Sequence, residues 1–249
     1  MKKAFLVTLL SLGTFHAWAQ AGERDMDDVV ARLYRDANNP DRLRDLANEA
    51  ASSPQAYLVP VWQPGTLLTI SRNTRPAPGL RYNVARQLLE LKDSVGGLRV
   101  FPVGSLRGFT IGESSNARTF RTRLTRGTGS SSGRAFVEIF TEQPDGPLVL
   151  ALAHRFVDKP AEMHPILRVE TQKARREIGQ LLLAGPGQDA QGALRPLELN
   201  ERSVLKLFGP ASAQLREYAA KNSLRYEELA DVMKLVNEYN RRQAAAPAK

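Results

Sequence analysis

The strongest constraint on this chain is a pair of strand-like runs joined by a chain reversal. Residues 134–158 read RAFVEIF, then TEQPDGP, then LVLALAHRFVD. The first run, 135–140, is β-branched and aromatic, and the second, 148–157, is almost continuously apolar. Between them lie Gln143, Pro144, Asp145, Gly146 and Pro147. Proline fixes φ and Asp-Gly tolerates a positive φ, so the chain turns here. Two such runs flanking such a turn predict a β-hairpin on which the rest of the chain packs.

Patterning on either side extends that core. Residues 57–62 and 67–71 read as strands around a Gln63-Pro64-Gly65 turn, and 75–79 as a stiff proline loop. The segments 98–103 and 106–111 are short strands, and 118–126 alternates with period two. That period places Phe120 and Leu124 inward and Arg121 and Arg123 outward. Leucine spacing predicts helices over 82–92 and from Pro165 through Leu182. At the N-terminal end, 24–37 and 40–50 read as an αα-hairpin with Asn39 as cap. At the C-terminal end three helices follow Asn200, the last capped by Ser223. The predicted fold class is α+β: an antiparallel β-meander core flanked by an N-terminal helical hairpin and a C-terminal helical bundle. The segments are a signal peptide at 1–19, the helical hairpin at 20–55, the sheet core at 56–184, a Gly/Pro linker at 185–199 and the helical subdomain at 200–249.

The first residues predict a compartment. Met1-Lys2-Lys3 is basic, 4–15 is mostly apolar, and Ala17-Trp18-Ala19 precedes Gln20 as an A-x-A cleavage pattern. This is the layout of a bacterial secretory signal peptide cut after Ala19, and it points to the periplasm or beyond. The chain has no cysteine, which excludes a disulfide framework, a thiolate metal site and a cysteine nucleophile.

Charge is concentrated in the middle. The chain carries a net +9, and residues 71–134 hold 12 bases, eleven of them arginine, against 3 acids. Arginine presents a planar fork suited to phosphate and carboxylate. Arg118, Arg121, Arg123, Arg126 and Arg134, with Arg99 and Arg107 next, are therefore the candidate anion- or partner-binding residues.

Other motifs carry less. Gly129-Ser130-Ser131-Ser132-Gly133 matches G-x-S-x-G, but a strand rather than a helix follows it, unlike a nucleophile elbow. The same run lacks the lysine and helix of a phosphate-binding loop. His154, Asp158, Glu162 and His164 are close in sequence and are the weak candidates for metal ligands, at a spacing that fits no standard zinc motif. No catalytic residue and no cofactor is assigned. The acids Glu227, Glu228, Asp231 and Glu238 on the last helix argue against nucleic acid as a partner. The reading favoured is a non-catalytic envelope binding or assembly factor that contacts an anionic envelope component or an envelope protein through an arginine-bearing sheet face. Peripheral contact with the membrane belongs to the same reading. The alternatives are an envelope hydrolase using His154 with Asp158 or Glu162, and a docking subunit of a secretion or pilus-like apparatus.

Overall fold

A computed structural model describes Arg32 and residues 34–92, 97–127, 133–163, 165–173 and 175–245. The signal-peptide segment, most of the first N-terminal helix and the Gly/Ser run at 128–132 lie outside the described residues. The fold combines helices with a ten-stranded antiparallel sheet. Its strands are β1 (Gln63–Leu68), β2 (Thr74–Asn83), β3 (Leu88–Lys92), β4 (Leu98–Pro102), β5 (Gly108–Ile111), β6 (Arg118–Thr125), β7 (Gly133–Ile139), β8 (Val149–Lys159), β11 (Arg175–Gly185) and β12 (Arg195–Pro196). They run in the order β12-β11-β8-β7-β6-β5-β1-β2-β3-β4. Two further strands, β9 (Glu162–Met163) and β10 (Glu170–Gln172), pair only with each other. The order is a meander on either side of β1, which sits between β5 and β2.

The hairpin read from 134–158 forms as β7 and β8, with Val137, Glu138 and Ile139 opposite Ala153, Leu152 and Ala151. Alternation along these strands supplies two cores. One face carries Phe120 and Phe136, which join Tyr82 and Phe109 in an aromatic cluster, Phe109 and Phe120 stacking at 4.7 Å. The other face carries Val137, Ile139, Val149, Ala151 and Leu183 around Leu194. Leu194 donates its N–H to Leu124 and accepts from Arg126 N–H at 2.8 Å, while the next residues form β12 against β11. Strands β6, β7, β8, β11 and β12 thus close on themselves around this second core. The stretch 185–199, read as a linker, supplies the closing residues. Within it Gly187 N–H donates to Gly146 O, and a Cβ on Gly187 would lie 2.4 Å from that oxygen, so only glycine fits.

Four segments differ from the sequence reading. Residues 82–92 are the end of β2, a turn and β3, with Tyr82 opposite Leu89, rather than a helix. Asn83 Oδ1 accepts from Arg86 N–H at 3.0 Å and Gln87 has φ 53°, which fixes a reversal a helix cannot contain. The stretch from Pro165 to Leu182 is a hairpin tip and strand β11 instead of a helix. Eleven register pairs to β8 outweigh the helical spacing of its leucines. The prolines of 75–79 lie within β2, and Gln63-Pro64-Gly65 lies within β1 at a register shift.

Four helices are described in full: α1 (Pro40–Ser52), α2 (Glu201–Leu207), α3 (Ser212–Lys221) and α4 (Leu229–Ala245). Asn38 ties the N-terminal region to the sheet edge. Its side chain accepts from Val100 N–H at 2.9 Å and donates to Val100 O at 2.8 Å, imitating a neighbouring strand on β4. Asn200 caps α2 by accepting from Ser203 N–H at 2.8 Å. Ser223 caps no helix; it lies in the turn between α3 and α4 with φ 53°. The C-terminal helices bury Val204, Phe208, Leu215, Val232 and Leu235 against Leu148, Leu150 and Ala184 of the sheet.

Candidate functional site

The arginines of the central block divide into buried and exposed groups. Arg118, at the start of β6, donates through Nε and Nη2 to Glu138 on β7 at 2.7 and 2.6 Å. His154 on β8 completes this knot, its Nε2 lying 2.8 Å from Glu138 Oε2. Burial pushes the Glu138 carboxyl up, but the bonds from Arg118 and His154 outweigh it and bring it down to about 2. Glu138 is therefore an acceptor only, and His154 Nε2 carries the proton between them. A similar knot lies on β2 and β3. There Glu90 accepts from Arg81 Nη2 at 2.6 Å and from the Tyr57 hydroxyl at 2.7 Å. The Arg81 guanidinium sits 4.1 Å from the Tyr57 ring centroid and 4.3 Å from that of Trp62.

Arg121 and Arg123 correct the outward orientation read from the sequence. Period two does put them on the opposite face from Phe120, but that face is covered as well. They stand opposite Val137 and Ala135 of β7, and the connection 140–148 folds over them. Arg123, 5% exposed, donates to Asp145 Oδ1 and to Pro144 O. Arg121 Nε lies 3.8 Å from Asp145 Oδ2. Burial lowers the Arg121 pKa; Asp145 opposes the shift, and neighbouring Arg123 and Arg107 add to it. The turn residue Asp145 thus serves as counter-ion to two arginines that the strand pattern assigned to solvent.

Arg126, by contrast, faces a cleft. It measures ≈ 890 Å³ and opens between the end of β6, the turn before β12 and helix α2. Arg126, Arg195 and Lys206 line it, all exposed and without an ion pair among the described residues. Leu124, Leu148, Leu197 and Leu207 also line it. Of its acids, Asp189 accepts from Leu124 N–H at 2.8 Å and pairs with Arg134, so its charge is matched. Glu198 is the other acid and accepts from Asn200 Nδ2. Of the sequence list, Arg126 lines the cleft, and Arg134 reaches it only as the ion-pair partner of Asp189. Arg99 on edge strand β4 and half-buried Arg107 before β5 do not line it. Arg195 and Lys206 escaped the sequence reading. They sit about 70 residues or more beyond Arg126 in sequence; the Leu194 bridge brings Arg195 beside it, and the packing of α2 against Leu148, Leu150 and Ala184 brings Lys206. The one local signal, Pro196 directly after it, placed Arg195 in a Gly/Pro linker rather than in strand β12.

The imidazole and carboxylates weighed for hydrolysis are separated. His154 and Asp158 lie four residues apart on one strand, about 13 Å at 3.3 Å per residue. The His154 ring is fully buried and committed to Glu138, whereas Asp158 and Glu162 are exposed. Among the described residues no group of three His, Cys, Asp or Glu side chains is arranged to hold a metal ion, and His164 lies outside them. No helix among the described residues is long and apolar enough to cross a membrane. Compared with protein-family models, curated proteins and solved structures, the chain matches none.

Proposed function

We propose that this is an exported, non-catalytic binding protein of the bacterial envelope that holds an anionic partner group in the cleft of Arg126, Arg195 and Lys206. The observation that carries the reading is an imbalance of charge. Three exposed cations line one cleft against two acids, Glu198 and Asp189, of which Asp189 is already neutralised by Arg134. Leucines in the same cleft favour an anion attached to an apolar body, because the fork or ammonium holds the charged end while the body covers apolar surface. The basic start, apolar run and A-x-A pattern of residues 1–20 support export. Phosphorylated headgroups are the envelope chemistry that combines both properties.

The test is an amide NMR titration with inorganic phosphate and with short-chain phosphatidylglycerol below its micelle concentration. Shifts that cluster at Arg126, Arg195 and Lys206, larger for the lipid than for phosphate, support the assignment. Shifts scattered over the surface, or none at millimolar ligand, reject it.

A further inference from the structure

We infer that the tip of the β8–β11 arm is a lipid-docking finger that enters the interface of an anionic bilayer. β8 and β11 pair over eleven residues, but β7 pairs with β8 only through Ala151, Leu152 and Ala153. Beyond Ala153 the two strands continue without β7 to Lys159 and Arg175. Exposure rises along β8 in that direction, and Asp158 and Lys159 are open to solvent. The arm ends in the small β9–β10 pair, which bears the apolar tip. Met163 is 55% exposed, Ile166 83%, Leu167 67% and Val169 55%. Of the six exposed large apolar residues among those described, these four fall within seven positions. Clustered exposed apolar side chains mark an interaction site.

The shape and charge of the tip select the occupant. Four side chains on a narrow two-stranded tip fall short of the roughly 800 Å² per partner that a stable dimer needs. A projecting apolar tip suits insertion into a bilayer interface, which needs depth rather than area. From Met163 to Val169 the charged side chain among described residues is a cation, Arg168. Lys159, Glu162, Glu170 and Lys173 form a mixed, exposed charged ring behind it. That ring suits the headgroup layer, and the net charge left when Lys2 and Lys3 go with the signal peptide (+9 less 2, or +7) supplies attraction to an anionic surface. The inference does not depend on the cleft, whose residues lie elsewhere in the fold.

The experiment is cosedimentation of the full chain with vesicles of phosphatidylcholine and phosphatidylglycerol, beside an Ile166→Asp/Leu167→Asp variant. An Ile166→Trp variant is added to vesicles with brominated acyl chains, with the unsubstituted chain as the fluorescence baseline. Expected are vesicle binding by the parent chain, affinity lower by about a hundred-fold or more in the double variant, and quenching at residue 166. Absence of vesicle binding overturns the inference. So does parent-like binding by the double variant, which would reduce the contact to surface charge, and so does binding without quenching. Self-association of the parent chain that the double variant abolishes also overturns it, in favour of a second copy as occupant.

Discussion

His154 Nε2 lies 2.8 Å from Glu138 Oε2 across the β7–β8 pair, and the same carboxylate takes both prongs of Arg118. The two strands first legible in the sequence are thereby joined by a buried side-chain hydrogen bond as well as by their ladder. Replacing Glu138 with glutamine weakens both contacts and leaves the Arg118 guanidinium poorly matched. The expected loss is about 3 kcal/mol in urea unfolding. Replacing Arg118, Glu138 and His154 together by Met, Leu and Leu costs much less, because no charge is stranded. A triple variant less stable than Glu138→Gln contradicts this.

The same carboxyl sets an acid limit. Its folded-state value, about 2, is below the ordinary 4.5, so the unfolded chain binds its proton more readily. The contribution of Glu138 is therefore complete above pH 4.5 and is lost as pH falls toward 2. Its size is up to about 3 kcal/mol. Urea midpoints from pH 6 to pH 3 check it: the parent chain loses stability below pH 4.5, and Glu138→Gln loses less over the same interval.

Asp145 and Arg126 give opposite expectations. Asp145→Ala strands Arg123, which is 5% exposed, and Arg121 behind the β7–β8 connection. A destabilisation of about 3 kcal/mol is expected. Arg126→Ala removes an exposed side chain and changes stability by about 0.5 kcal/mol or less. Equal effects from the two substitutions would contradict the division of the arginines into structural and free.

Asn38 is expected to guard the sheet edge. Asn38→Ala removes two bonds to Val100 and exposes the backbone of β4. A loss of about 1–3 kcal/mol is expected, together with faster hydrogen exchange at the Val100 amide. An unchanged exchange rate there argues that the N-terminal region is not docked through this residue.

Much of this architecture was legible. The β7–β8 hairpin, the Asn39 and Asn200 starts of α1 and α2, and the period of β6 all follow from local chemistry. Failures came where partners distant in sequence decide. The leucines of 82–92 and of 178–182 sit at helical spacing, yet ladders to β2 and β8 claim them as strands. Alternation placed Arg121 and Arg123 correctly on the face away from Phe120. It could not tell that the opposite face is covered too, because the cover is a turn whose Asp145 is also the counter-ion. Arg126 was named from composition. Its companions Arg195 and Lys206 were not, since their meeting depends on Leu194 returning to the end of β6 and on α2 packing against the sheet.

The most direct test is the affinity for short-chain phosphatidylglycerol across a salt series, in the parent chain and in Arg126→Gln/Arg195→Gln/Lys206→Gln. The expected result is parent affinity that falls as salt rises, and at least about ten-fold weaker binding with little salt dependence in the triple variant, whose urea midpoint is unchanged. A triple variant that binds as tightly as the parent, with the same salt dependence, would contradict the assignment of the cleft.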